Sequence, residues 1–308
     1  MPKHDLIIKD DPRDWRMGDG HIELKGTTAD WLPHFLFDDR QLLPDGNDTD
    51  CCWDFSNNKI FDALMDALMP TLPTDVQQRI AAMGFMDVSS VDNSPHFHSS
   101  DRLIAVLSGA LQNGGTIPEW WQWAQKVGVV PYAMLPDTQT LSQWDATNIP
   151  QNVLEVGTQF LALMGGKDFL QYHWVNDGGA TDIAAMAAAL PTAPLALGIP
   201  VNDAGWNQTC PTIATGAPVH VVAAYAIDGT TVLVKDNYAP YFKELLPGYQ
   251  ISYALQPVIR YVPPPPPAPL PPDPTFPASP TPAQVSLWQS WLAALKQWIL
   301  GIESEGKM

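Results

Sequence analysis

The chain is poor in cysteine, in positive charge and in long apolar runs, and each shortage excludes a class of protein. Three cysteines in 308 residues, two of them adjacent as Cys51 and Cys52, make no disulfide framework and fit a reducing compartment. Sixteen Lys and Arg stand against 33 Asp and Glu, a net charge of −17. A surface so acidic repels phosphate backbones and anionic headgroups, so no nucleic-acid partner is expected. No apolar stretch reaches the ~18 residues of a bilayer span, so no transmembrane segment is expected. The first residues, from Met1 to Gly20, are charged throughout and lack the apolar region of a secretory signal. The expectation is synthesis in the cytoplasm.

Apolar residues make up 45% of the chain and aromatics 10%, enough to build a core. Proline is abundant, and twelve of the 31 fall between Pro263 and Pro282. A stretch so short of amide donors runs as polyproline II, a stiff spacer. The expected organisation is a body over residues 1–262, a proline-rich linker over 263–281 and a C-terminal amphipathic helix over 282–308. Thr281, Pro282 and Gln284 have the pattern of a capped helix start. Beyond it Trp288, Trp291, Leu292, Leu295, Trp298, Ile299 and Ile302 recur at helical spacing as one apolar stripe. Held away from the body by the spacer, that stripe calls for a protein partner, identical chains included, contacted through Trp288, Trp291, Leu295 and Trp298.

Within the body, helical spacing covers residues 53–68, 74–83, 101–111, 118–127 and 153–164. From about Pro191 short apolar runs take over, at 195–201, 219–226, 231–235 and 250–262, broken by Gly, Pro and Asp-Gly. Helices followed by strands predict an α+β class with an antiparallel sheet.

Two residues in this body suggest chemistry. Cys52 begins the first strong helix, where the helix dipole favours the thiolate. Cys210 has no such setting and reads as core or loop. A thiolate nucleophile needs an imidazole, and the imidazole needs an orienting group. His4 and His21 lie in the charged N-terminal stretch, His34 has no telling neighbours, and His173 reads as packed between Tyr172 and Trp174. His96 and His98 alternate as on one face of a strand, without enough further ligands for a metal. His220 differs, because it sits in the apolar run 217–225, where an unpartnered ring is costly. A three-residue loop ending at Gly229 sets Asp236 opposite His220; a two-residue loop of Asp228 and Gly229 sets Asn237 there instead. Either side chain can hold the ring.

These residues carry a family resemblance. Cys52-Trp53-Asp54-Phe55-Ser56 resembles the Cys-Trp-Ala-Phe-Ser start of the central helix in papain-like cysteine peptidases. Val219-His220-Val221-Val222 resembles their Asn-His-Ala-Val strand, and Val234-Lys235-Asp236-Asn237-Tyr238 their Val-Lys-Asn-Ser-Trp segment. Asn113-Gly114-Gly115, a Trp-rich helix and Gly128-Val129-Val130-Pro131-Tyr132 are similar to the family's Asn-Gly-Gly stretch, helix and Gly-Ile segment. The resemblance spans residues 40–262. It implies a two-lobed domain, a helical lobe and an antiparallel β lobe with the cleft between. It also implies a Cys52–His220–Asp236 triad, a cleft lined by Gly114 and Gly115, a peptide or protein substrate, and no cofactor or metal.

The departures are as specific. The oxyanion Gln that the family carries six residues before its Cys is replaced by Gly46, which leaves Asn47 or the Cys52 backbone amide to serve. The family's disulfide is missing, and the fifty-one residues before Cys52 are short for its inhibitory prosegment. These traits resemble bacterial or phage-encoded relatives, with a place in a phage particle as one expectation. Asp48, Asp50 and Asp54 surround the thiol, and nearby carboxylates raise a thiol's pKa. Asp45, Asp48 and Asp50 miss the EF-hand spacing and read as a solvated loop. Two rivals follow from these traits: a peptidoglycan amidase with the same Cys-then-His order, and a non-catalytic papain-like binding module.

Overall fold

The computed structural model describes residues 15–16, 30–109, 114–136, 140–144, 149–263 and the helical pairs 285–286, 289–290 and 292–293. The chain divides into Met1–Val262 and Pro263–Met308. In the second unit the linker beyond Pro263, and Trp288, Trp291, Leu295 and Trp298 of the expected stripe, lie outside the described residues.

In the first unit, helix α1 (Cys52–Leu68) is central, and every residue from Cys52 to Met65 is buried. A helix buried all round tolerates polar side chains only where each finds a partner. Ser56 Oγ donates to Val221 O at 2.7 Å on the sheet side. Asn57 donates to Ile117 O at 3.0 Å and accepts from Trp121 Nε1 at 2.7 Å on the helical side. Asn58 and Asp62 both engage Ser99. Lys59 Nζ donates to Asp39 O and to Asn237 Oδ1, each at 2.9 Å. Besides the Trp53 indole nitrogen, Asp54 is the exception. Neither of its carboxylate oxygens has a hydrogen-bond partner, and burial pushes the group far above the usual carboxylate range.

The other helices are α2 (Thr74–Ala82), α3 (Arg102–Ser108), α4 (Ile117–Val127), α5 (Leu141–Trp144), α6 (Gln151–Met164), α7 (Ile183–Ala189) and α8 (Asp203–Trp206). Phe61 of α1 meets Phe97, Trp120, Trp121, Phe160 and Phe169 with ring centroids 5.4 to 6.4 Å apart. That aromatic cluster joins α1, α4 and α6 into the helical half of the core.

The strands are β1 (Trp15–Arg16), β2 (Met86–Val88), β3 (Pro95–Phe97), β4 (Leu170–Asp177), β5 (Leu195–Ile199), β6 (His220–Asp228), β7 (Thr231–Lys235), β8 (Phe242–Leu245) and β9 (Tyr253–Ile259). β2 and β3 form a hairpin of their own; the rest make one sheet in the order β1-β4-β9-β5-β6-β7-β8, antiparallel except for the β1–β4 pair. The expected α+β class and antiparallel sheet are what the fold shows. β4 was not expected as a strand. Its buried positions alternate with half-buried Gln171 and His173, so no apolar run marks it in the sequence.

Candidate active site

The start of α1 is set by the segment before it. Leu42 and Asp48 bridge, Leu43 N donates to Asn47 O at 2.8 Å, and a tight turn carries Gly46 at φ +83°. Asp50 N donates to Asp48 Oδ1 at 3.0 Å, and Asp50 has φ +56°, a left-handed conformation that Asp tolerates better than most residues. That kink lets the chain enter α1 with Cys51 as N-cap and Cys52 as first helical residue. Cys51 Sγ donates to Thr49 O at 3.1 Å, and burial, with Asp54 and Cys52 beside it, pushes its thiol well up. Cys52 lies at the positive end of the helix.

His220 is the first residue of β6 and pairs with Ile199 of β5. Its Nε2 lies 2.7 Å from Asp236 Oδ1, and the Cys52 sulfur is near enough to act on the charge of the ring. Burial alone lowers the imidazole pKa. The Asp236 charge and the Cys52 sulfur outweigh it and carry the ring up to about 9. Burial likewise raises Asp236, but the His220 and Lys243 charges prevail and hold it at about 2. The ring is thus an imidazolium held between a carboxylate and a thiol.

The strand register behind this contact differs from both expected hairpins. Asp228 faces Thr231 across a turn of Gly229 and Thr230, with Gly229 at φ +60°, and the ladder shifts at Tyr225 between Ala224 and Ala226. Ala223 then faces Lys235, so continuing the ladder sets Asp236 beside Val222. His220 is the next same-face position along β6, and Asp236 reaches it diagonally. Asn237 does not meet the ring. Its Nδ2 donates to Cys52 O at 3.2 Å and to Ser56 Oγ at 3.3 Å, and its Oδ1 accepts from Lys59.

Three further side chains complete the surroundings, and of these only Tyr238 belongs to a motif marked in the sequence. Lys243 Nζ donates to Asp236 Oδ2 at 2.7 Å. Trp206 sets its ring 5.4 Å from His220, edge to face, and 5.0 Å from the Lys243 ammonium. Tyr238 lies 5.7 Å from His220, ring to ring, and its hydroxyl donates to Asp48 Oδ2 at 2.7 Å. Cys52, His220 and Asp236 are each 0% exposed. A cavity of ≈ 430 Å³ opens beside Tyr238, between the 38–44 and 237–241 segments, and neither Cys52 nor His220 lines it.

Gly115 packs on the indole of Trp53, which a Cβ there would overlap. Gly114 has φ +65°; Asn113 lies outside the described residues. Asn47 is exposed, with its backbone bonded to Leu43 and Asp45. Gln41, in the same segment, is a buried amide whose Nε2 is committed to Asp48 Oδ1 at 2.9 Å. His4 and His21 are outside the described residues. His34 and His96 share Asp66, each at 2.7 Å, and His98 lies between Asp39 and Asp87. Among the described residues no group of three or more His, Cys, Asp or Glu is placed to hold a metal ion.

No family model and no curated protein sequence matches the chain. Solved structures do. The chain is similar to xylellain, a cysteine protease from Xylella fastidiosa, at 14% identity and a TM-score of 0.52, over 85% of this chain and 97% of that one. It is also similar to digestive procathepsin L 3 of Tenebrio molitor larval midgut, at 14% identity and a TM-score of 0.50, over 84% of this chain and 75% of that one. The fold is that of the papain-like cysteine proteases.

Proposed function

We propose that the chain is a cysteine-type peptidase whose triad is Cys52, His220 and Asp236. The observation that carries this reading is the buried His220 ring, 2.7 Å from Asp236 Oδ1 and near enough to Cys52, at the start of α1, for that sulfur to raise its pKa. The Cys52 thiolate adds to the carbonyl carbon of a peptide bond, and the resulting oxyanion takes the backbone N–H of Cys52 as a donor. His220 gives its proton to the departing amine, leaving an acyl group on the sulfur. The ring, now neutral, takes a proton from water as that water attacks the thioester. Collapse of this second adduct releases the carboxylic acid and restores the thiolate and imidazolium. Asp236 orients the ring throughout. Gly114 and Gly115 line the substrate cleft in this reading, and the substrate is a peptide or protein; an amide bond of peptidoglycan would use the same steps.

A second reading, a papain-like module that binds without catalysis, draws on the complete burial of Cys52 and His220. Hydrolysis of a fluorogenic peptide mixture separates the two. Turnover abolished in Cys52→Ser and retained in Cys51→Ser supports the peptidase. No turnover over background by the unmodified chain, at any pH from 5 to 9, discards it.

A further inference from the structure

The buried cation behind the triad is unused by the steps above. Lys243 is 1% exposed and lies on β8, where burial alternates along Phe242, Lys243, Glu244 and Leu245. It therefore occupies an inward position that an apolar residue would normally fill, and a lone ammonium there is costly. All three of its protons are used: on Asp236 Oδ2 at 2.7 Å, Tyr238 O at 2.7 Å and Pro240 O at 2.5 Å. The Trp206 ring covers it from 5.0 Å and meets the His220 ring in a T-shaped pair at 5.4 Å.

We infer that Lys243 is a positioning residue of this site, neutralising the buried Asp236 carboxylate so that an acid can hold the His220 ring as a neutral amide would. The inference rests on the peptidase reading only for its consequence in turnover. Its charge logic is local. In the low-dielectric interior the Asp236 carboxylate lies between two cations, the imidazolium and the Lys243 ammonium, whereas without Lys243 it would be an uncompensated negative charge each time the ring gives up its proton. The papain-like pattern that this segment resembles has Asn where Asp236 stands, and an amide adds no such charge. Asp at this position therefore needs a second cation, and β8 brings it.

The other titratable groups facing the site do not supply that charge. Tyr238 and Tyr249 both sense Asp236 and are held neutral, their phenols raised first by burial. Asp48 faces the Tyr238 hydroxyl, and Cys51 faces Cys52. Burial lowers Lys243 and the Asp236 charge works against that shift. Shared between two cations, Asp236 stabilises the imidazolium less than it would alone. Lys243 thus keeps His220 able to release its proton.

The test is the titration of the His220 ring in the full chain, followed by NMR with labelled histidine and assigned with His220→Gln. Four variants are compared with the unmodified protein: Lys243→Met, Lys243→Arg, Asp236→Asn and the double variant Asp236→Asn/Lys243→Met. Loss of the ammonium in Lys243→Met should raise the ring's pKa by about one unit. Lys243→Arg should restore the original value. Asp236→Asn should lower the ring and destabilise the fold, and removing Lys243 as well should recover stability. An unchanged ring pKa in Lys243→Met overturns the inference. Should Lys243→Met fail to fold, the double variant decides: greater stability than Asp236→Asn supports the inference, and equal or lower stability overturns it. Because none of these readouts is hydrolysis, absence of peptidase activity would sink the proposed function and leave this result standing.

Discussion

Asp236 and Asn237 are neighbours in sequence with opposite tasks: Asp236 Oδ1 lies 2.7 Å from His220 Nε2, while Asn237 Oδ1 lies 2.9 Å from Lys59 Nζ. One side chain fixes the imidazole. The other ties the segment after β7 to the central helix through Lys59, Ser56 and the Cys52 carbonyl.

Asn237→Ala should therefore act on stability before it acts on the ring. It leaves a buried ammonium with Asp39 O alone, and a lost hydrogen bond to a charged group costs about 2 kcal/mol. Urea denaturation should show that loss, while the His220 titration stays in place. A shifted ring with unchanged stability would assign Asn237 to the imidazole instead.

Tyr238 is the roof of the site, pinned by its hydroxyl to Asp48. Tyr238→Phe keeps the ring against His220 and removes the pin, so the buried thiol should open to solvent more often. Alkylation of Cys52 by iodoacetamide should then speed up several-fold, with the melting temperature nearly unchanged. An unaltered rate would mean that another element limits access.

A second buried imidazolium gives the fold a pH signature away from the triad. Burial lowers His98, but Asp39 at 3.2 Å and Asp87 at 3.0 Å outweigh it and raise the ring to about 10, and Phe37 and Tyr132 stack on its two faces. A raised folded-state pKa gives stability that is complete below the unfolded value of about 6.5 and is lost as pH rises through about 10. Between pH 7 and 10 the melting temperature of the unmodified chain should fall more steeply than that of His98→Gln. Parallel slopes would contradict the pairing.

The tail is a prediction from sequence alone. If the stripe of Trp288, Trp291, Leu295 and Trp298 joins identical chains, the full protein should show a larger mass by light scattering than a chain ending at Val262. Equal monomeric masses discard self-association.

How much of this could be read from the sequence depends on where each signal is stored. The start of α1 was legible because helical spacing and its Cys share one short segment. The turn at Gly229 was legible too, but the shift at Tyr225 was not, since a bulge changes register without changing the alternation of apolar residues. Both expected pairings of His220 were displaced because the turn holds Gly229 and Thr230, later than either expected loop, and the shift at Tyr225 is what returns Asp236 to the face of His220. Lys243 gave no signal: a lysine between Phe242 and Glu244 reads as solvent-facing, and its inward position is set by partners on the preceding segment. The acidic loop misled in a different way. Asp54 counts as an ordinary carboxylate in the sequence, yet burial pushes it far above the usual carboxylate range.

The central claim, that His220 makes Cys52 a nucleophile, is tested most directly by mapping iodoacetamide modification at pH 6 in the full chain and in His220→Ala. The account predicts modification of Cys52 ahead of Cys51 and of exposed Cys210, with the Cys52 rate falling at least tenfold in His220→Ala. Labelling of Cys210 alone, or a Cys52 rate indifferent to His220, would contradict it.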